Sequence, residues 1–217
     1  MRTRTTSLLL AATLSAAPML LAAQINGPGR IHVAVGLAAG AHGTEYTETG
    51  TVLGIPLSRK TLDGAATVTV PIEVGVGVAD FLSLGLYVEP GSYLDSSATE
   101  SNGLAMVGFQ PRFYLVNKDR FAWMASLRLG GSALQIDREE PFLRTEARYR
   151  GGHFGLGTGV AFHFSDLIGL QLHANYLTNR LTLQDYRVNG SEIPLDLYEA
   201  ELLARGVVLQ ASLALRF

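Results

Sequence analysis

The chain has 217 residues, a formal net charge of -2 and no cysteine, so it fits one domain without a disulfide scaffold. The near-neutral charge gives no footprint for nucleic acid, and a bacterial lipoprotein is excluded because it needs a cysteine to carry its lipid. Hydrophobic residues make up 47% of the chain. No stretch is apolar over the ~20 residues that a membrane-spanning helix needs, so these residues are spread in alternation.

The N-terminus has the pattern of a secretory signal peptide. Two arginines among the first four residues precede an apolar run at 8–21, and small residues follow it. The alternative interpretation is a membrane helix, but a run of about 14 residues is short for one. We therefore expect residues 1–23 to be a cleaved signal peptide, with the cut before Gln24, and residues 24–217 to form the mature domain.

Beyond Gln24, apolar residues recur at every second position, which is the side-chain period of a β-strand. One face of each segment is apolar, and the other carries small or polar residues. Pro71 lies within the second segment and cannot donate to the ladder, so we expect a bulge or break there. The predicted strands are 30–39, 67–78, 82–89, 105–115, 121–130, 153–164, 168–176 and 205–217.

The connections between the predicted strands alternate between long and short. A membrane barrel with both chain ends in the periplasm has short periplasmic turns and longer outer loops. The short connections, at 80, 117–119 and 165–166, are therefore expected on the periplasmic side. Four extracellular loops are expected at 40–64, 90–102, 135–150 and 178–203.

Aromatic residues gather on the apolar face near the inferred periplasmic ends of the strands. Aromatic belts lie at membrane interfaces, so this placement favours a membrane barrel over a soluble one. Phe154 and Tyr176 are candidates for the outer rim. The periplasmic set is Phe113, Phe121, Trp123, Phe162, Phe164 and Phe217.

The last segment, R-G-V-V-L-Q-A-S-L-A-L-R-F at 205–217, ends its apolar face on Phe217. An aromatic terminus after an alternating strand resembles the assembly signal of Gram-negative outer-membrane barrels. With the strand count, the chain resembles the small eight-stranded class that includes the OmpA transmembrane domain, OmpX and OmpW. The resemblance implies an all-β fold, an eight-stranded antiparallel up-and-down transmembrane β-barrel in the cell outer membrane, preceded by a cleaved signal peptide.

The resemblance also implies partners. These are outer-membrane lipids and lipopolysaccharide, and the barrel-assembly machinery acting through the C-terminal strand that ends in Phe217. A monomer is expected. Because nothing follows Phe217, no periplasmic peptidoglycan-binding domain of the OmpA kind is expected.

Four charged residues fall on the inward face and are expected to form an ion-pair network. If the turn after the second strand has about three residues, Glu73 lies opposite Glu89 and the carboxylates repel. Arg112 and Arg128, on the next two strands, are placed to neutralise them, since an unpaired buried charge is costly. The network is interpreted either as a gate in a narrow pore or as a polar plug. Eight strands leave little free lumen, which favours the plug.

Two motifs suggest chemistry, and both interpretations are weak. The alternating glycines at 155–159 lie on one face of a strand, whereas a nucleotide loop must open a helix. His163-Phe164-Ser165 resembles the His-x-Ser of the outer-membrane lipid A deacylases, in which the pair lies outside the barrel and an acid follows about a dozen residues later. Here His163 points inward and 175–177 holds no acid. The five histidines are scattered and suggest no metal site.

The sequence therefore favours a non-enzymatic integral barrel with a plugged lumen, no cofactor and no bound metal. Its four outer loops would contact envelope components, a host or the environment, in a structural or surface-interaction role. The alternative is a narrow porin-like channel for small or apolar solutes, which a resemblance to OmpW implies. A lipid A-modifying enzyme is the third and least favoured hypothesis.

Overall fold

A computed structural model describes residues 24–52, 55–96, 102–140, 142–195 and 198–217. The predicted signal peptide, 1–23, lies outside the described residues and stays a prediction. Within these ranges, no helix is both long and apolar enough to cross a membrane. The strands are β1 Ile31–Val52, β2 Ile55–Thr69, β3 Ile72–Ala79, β4 Leu82–Asp95, β5 Asn102–Asn117, β6 Phe121–Glu140, β7 Leu143–His163, β8 Ile168–Val188, β9 Ser191–Glu192 and β10 Tyr198–Arg216.

These strands form one closed antiparallel ring. β2 and β3 are two parts of a single barrel strand that breaks at Val70 and Pro71, as expected from the proline. β10 pairs with β8 on one side and with β1 on the other, so the ring closes and leaves no open edge. β9 only extends β8 outside the ring. The predicted eight-stranded antiparallel barrel is therefore confirmed.

The register around the ring fixes the tilt of the strands. From Val35, the paired residues lead through β10 and β8 to Phe162 on β7. In the other direction, through β3, β4, β5 and β6, they lead to Gly152 on the same strand. The two paths end ten residues apart, at 152 and 162. For eight strands, an offset of this size tilts the strands about 40° from the barrel axis.

The outward face carries an apolar belt. On β7 and just beyond it, the belt extends from Phe164 at the periplasmic rim to Phe154 at the outer rim, and both side chains are exposed. At roughly 3.3 Å per residue and about 40° of tilt, this segment rises about 25 Å, the height of the lipid-facing band of such barrels. Most of the predicted periplasmic aromatic residues are exposed on the outside, and Phe121 is half-buried.

The four predicted outer loops are mostly strand, and this part of the prediction was wrong. β1 and β2 continue the first hairpin from the membrane to Val52 and Ile55, and the other three long connections are extended in the same way. The reason is an inversion of side-chain polarity. In the upper part of β6, Leu134 and Ile136 point inward, whereas Gln135 and Asp137 point outward to water. A strand with its apolar face inside and its polar face outside remains stable above the membrane.

Candidate functional site: the barrel interior and its two ends

The first buried ion pair joins Glu73 on β3 to Arg112 on β5 across the intervening strand. Gln210 on β10 donates through Nε2 to Oε1 of Glu73 at 3.0 Å. Nη1 of Arg112 lies 3.4 Å from Oε1 of Gln171 on β8. Four strands thus contribute to one group of polar side chains, and each charge has both an opposite charge and an amide beside it.

The second buried ion pair joins Glu89 on β4 to Arg128 on β6, again across one strand. Oγ1 of Thr69 donates to Oε1 of Glu89 at 2.5 Å. The guanidinium carbon of Arg128 lies 4.1 Å from the centroid of the Tyr87 ring, which is a cation–π contact. The Arg128 and Glu89 side chains are 1% and 0% exposed, so water does not reach this pair.

The expected repulsion between Glu73 and Glu89 is absent, because the register differs from the prediction. The turn after β3 has only two residues, Asp80 and Phe81, and a bulge lies just before it. Glu73 is consequently opposite Tyr87. In the structure, the four predicted residues form two separate ion pairs. The two carboxylates do not face each other, and each one has its own arginine.

A chain of hydrogen bonds starting at Tyr87 was not predicted from the sequence. The Tyr87 hydroxyl contacts Nε2 of His153, and Nδ1 of His153 lies 2.7 Å from Oγ of Ser132. Oγ of Ser132 donates to Oδ1 of Asn179 at 2.7 Å, so it must accept from His153. Nδ1 of His153 therefore carries a proton, and in the neutral imidazole Nε2 accepts from the Tyr87 hydroxyl. The alternation placed His153 inward, but spacing alone did not identify its partners.

An apolar layer lies above the polar layer, although the sequence predicted a polar interior. Leu134, Leu177, Leu181 and Leu202 point into the lumen and are at most 2% exposed. They belong to one continuous cluster of buried residues in the outer half of the barrel. The polarity inversion along β6 and β8 was the sequence signal for this layer.

The outer mouth forms a cup lined by tyrosines. It encloses about 330 Å³, and its walls include Tyr46, Tyr149, Tyr186 and Tyr198. The Tyr198 hydroxyl donates to Oε1 of Glu48 at 3.1 Å. Burial raises the pKa of the Tyr46 and Tyr198 hydroxyls above their usual range, and the negative charge of Glu48 adds to this effect at Tyr198. These phenols are therefore neutral hydrogen-bonding groups.

The periplasmic end is closed by the segment that precedes β1. Asn26 is fully buried, and its Nδ2 donates to the carbonyl of Ala79 at 2.7 Å. The backbone N–H of Ile25 donates to the carbonyl of Lys118 at 3.0 Å, and its side chain packs against Met124. The sequence did not predict this closure, since a short irregular segment carries no periodic signal.

The two motifs weighed in the sequence occupy structural positions. The glycines at 155–159 lie within β7. The His163 side chain is buried, and neither ring nitrogen has a hydrogen-bond partner among the described residues. Ser165 lies in the following turn, where its Oγ accepts from the N–H of Ile168 at 3.0 Å. In the described ranges, no three histidine, aspartate or glutamate side chains form a group that could hold a metal ion.

Comparisons with known proteins support the class of fold. No protein-family model and no curated protein sequence matches the chain. Among solved structures, it is similar to the outer membrane protein OprG from Pseudomonas aeruginosa, with a TM-score of 0.62 and 8% identity over 88% of this chain and 97% of that one. It is also similar to the outer membrane protein AlkL in lipid bilayers, with a TM-score of 0.52 and 8% identity over 88% and 92% of the two chains.

The fold is therefore that of the small outer-membrane β-barrels. The apolar belt gives an independent reason to place it in a bilayer, because an exposed ring of this height needs hydrocarbon around it. The chain is an integral protein of the outer membrane. At such low sequence identity, the similarity concerns the fold and not the activity.

Proposed function

We propose that the protein is a closed barrel that anchors an outer surface in the membrane, with a structural or surface-interaction role. The observation that carries this proposal is the near-zero exposure of side chains that point into the lumen. Met124 is 0% exposed, Arg128 is 1% exposed and Leu181 is 2% exposed. In an open pore, water would touch the residues that line it. These three residues come from different levels of the barrel, so the support does not depend on a single constriction.

The outer surface is built from the upper parts of the hairpins. β7 begins at Leu143, eleven residues before Phe154, which is roughly 28 Å above the outer aromatic rim at the strand tilt. Exposed ion pairs between neighbouring strands hold these upper parts together, including Lys60 with Glu45 at 2.6 Å and Arg180 with Glu201 at 2.6 Å. The result is a mixed-charge surface suited to contact with envelope components, a host or the environment.

Recordings in planar lipid bilayers test the closed barrel. The folded mature protein is expected to give no stable conductance steps. Because Glu73 and Arg112 then line no open path, Glu73→Gln and Arg112→Gln are not expected to produce a defined channel. The unaltered protein could instead give stable conductance steps whose size changes in either variant. That result would mean that these charges form a gate in an open pore and not a plug.

A narrow channel for apolar solutes is the second candidate function. It is favoured by the apolar layer directly below the tyrosine cup, in which Leu134, Leu177 and Leu202 face the lumen. Entry of an apolar fluorescent dye into vesicles containing the protein would support this function if Leu177→Trp slowed it. Dye entry at the rate of protein-free vesicles would remove it.

An enzyme acting on lipid A has the weakest support. His163 is buried inside the barrel on the periplasmic side, away from the outer leaflet, and within the described residues its ring nitrogens form no hydrogen bond, with Ser165 or any other residue. Mass spectrometry of lipid A from cells with and without the protein tests this hypothesis. We expect identical lipid, and a difference in acyl chains or phosphates would favour the enzyme.

A further inference from the structure

A groove crosses the lipid-facing wall near the outer edge of the apolar belt. Its deeper part has a volume of about 590 Å³. A second part of about 370 Å³ adjoins it towards the outer surface and shares Ala105, Ala133 and Arg150 with it. The outward residues that form the deeper part include Pro90, Ala105, Val107, Gly131, Ala133 and Arg150.

The groove exists because small residues are neighbours on four adjacent strands, the last of them Gly152 on β7, which is opposite Gly131. Pro90 is opposite Ala105, Ala105 is opposite Ala133, and Ala133 is opposite Arg150. At Gly131 an added Cβ would meet only one backbone oxygen, at 3.7 Å, so the space above this glycine is open. Lower in the belt the outward side chains at these strands are larger and include Leu86, Phe109 and Leu129.

Two arginines stand at the outer edge of the groove. Arg150 lies four residues beyond Phe154 on β7, roughly 10 Å above the outer aromatic rim at the strand tilt, which is the level of lipid headgroups. Arg150 has no ion pair with a residue in the described part of the chain. Arg148, the next outward residue, has one ion pair with a described residue, a 3.9 Å contact with Asp185. Positive charge at this level therefore faces the membrane with little internal neutralisation.

We propose that this groove is a binding site for a phosphorylated lipid of the outer leaflet, of the lipid A type. One acyl chain lies across the small residues of β4 to β7, and the phosphate binds the guanidinium of Arg150, with Arg148 beside it. An arginine fork matches a phosphate through two parallel hydrogen bonds, and the apolar floor matches the chain attached to it. The site depends on the orientation of the barrel in the membrane and not on whether the lumen is closed.

The test uses the folded protein in detergent with added bisphosphorylated lipid A, and native mass spectrometry measures the bound fraction. Arg150→Gln is expected to lower the apparent affinity about tenfold, as for loss of a charge-assisted hydrogen bond. Ala133→Leu, which fills the groove without changing charge, is expected to lower it as well. Arg205→Gln is the matched control, because Arg205 is another exposed outward arginine, on β10, that does not line the groove.

The outcomes separate a specific site from general attraction. The site is supported if Arg205→Gln still binds lipid A while Arg150→Gln and Ala133→Leu bind it more weakly. An equal loss of lipid A affinity in both arginine variants would mean that surface charge alone attracts the lipid, and this would overturn the proposal. Unchanged lipid A affinity in Arg150→Gln and Ala133→Leu would also overturn it. Folding of each variant is checked by heat-dependent gel mobility. If Ala133→Leu does not fold, Gly131→Leu fills the same groove through open space.

Discussion

Glu89 and Arg128 form an ion pair inside the barrel that connects two strands with a third strand between them. Glu73 and Arg112 repeat this arrangement one strand earlier in the ring. Each pair therefore spans part of the lumen and fastens non-adjacent strands, which backbone hydrogen bonds cannot do. Inside the barrel each charge is stabilised by its ion-pair partner instead of by water. Removing one member of a pair therefore leaves the other charge buried and unpaired.

Replacing Arg128 by methionine is expected to destabilise the barrel by about 3–5 kcal/mol, because Glu89 loses its counter-charge in a dry interior. The free energy of unfolding can be measured by guanidinium titration of the protein in lipid vesicles. Trp123 is the only tryptophan in the chain and reports the transition through its fluorescence.

The exposed pair of Lys60 with Glu45, at 2.6 Å, provides the control. Lys60→Met is expected to cost less than about 1 kcal/mol. The double variant Glu89→Gln with Arg128→Met should recover part of the loss, since no unpaired charge remains. A loss of stability in Arg128→Met no larger than that in Lys60→Met would contradict the buried pair.

A charge placed in the apolar belt is expected to be costly only at membrane depth. Leu172 is exposed near the middle of the belt on β8, whereas Leu62 is exposed on β2 far above it. Leu172→Arg should lower the free energy of unfolding in vesicles by about 2–4 kcal/mol, and Leu62→Arg by close to none. Equal effects at the two positions would mean that the belt is not in hydrocarbon.

Much of the fold follows from the sequence because lipid and lumen impose opposite polarities on alternate residues. Val35, Leu172 and Phe217 all point outward as the period of two requires. The break at Pro71 follows from its missing N–H. These features depend on the chemistry of each residue and its neighbours along the chain, so they can be predicted from the sequence.

The features that the sequence did not predict depend on the register between strands and on contacts between residues far apart in the chain. A bulge before Asp80 shifted the partner of Glu73 to Tyr87, and no local pattern marks that bulge. The outer hairpins were missed because their polarity is inverted, with Leu134 inside and Gln135 outside, so they do not continue the membrane pattern. The contact of Asn26 with Ala79 joins segments far apart in the chain and needs the closed ring to form.

The tyrosine cup is expected to resist ionisation at high pH. The raised pKa values of Tyr46 and Tyr198 mean that the folded state holds these protons more tightly than the unfolded state does. Their contribution to stability is therefore complete below the unfolded value of about 10 and is lost as the pH rises above it. Near-ultraviolet absorbance should show fewer ionised tyrosines at pH about 11 in the folded protein than after denaturation.

Tyr198→Phe provides the matching variant for this titration. It should remove one late-ionising group from the folded protein and leave the other tyrosines unchanged. Ionisation of all eight tyrosines at the ordinary pKa in the folded protein would contradict the buried cup.

Phe217 is expected to act in assembly more than in stability. Its backbone exchanges two hydrogen bonds with Ile31, at 2.9 and 3.1 Å, and these do not depend on the ring, which is 65% exposed. Phe217→Ala should therefore change the free energy of unfolding in vesicles by less than about 2 kcal/mol. The amount of folded protein in the outer membrane of cells should nevertheless fall several-fold. Normal amounts in cells would remove the proposed contact of the terminal aromatic residue with the assembly machinery.

A lumen that is closed to water shields its side chains from water-soluble reagents, and labelling of single introduced cysteines measures this shielding. The chain has no cysteine of its own, so each variant carries one thiol. Ser126 points into the lumen and is 4% exposed, whereas Ser58 is exposed on the first outer hairpin.

With a small water-soluble thiol reagent, Ser126→Cys in the folded barrel is expected to react at least about 100-fold more slowly than Ser58→Cys, because the reagent must wait for the barrel to open. Both variants should react at similar rates after denaturation. Rapid labelling of Ser126→Cys in the folded protein, at a rate comparable to that of Ser58→Cys, would show a water-filled lumen and contradict the closed barrel.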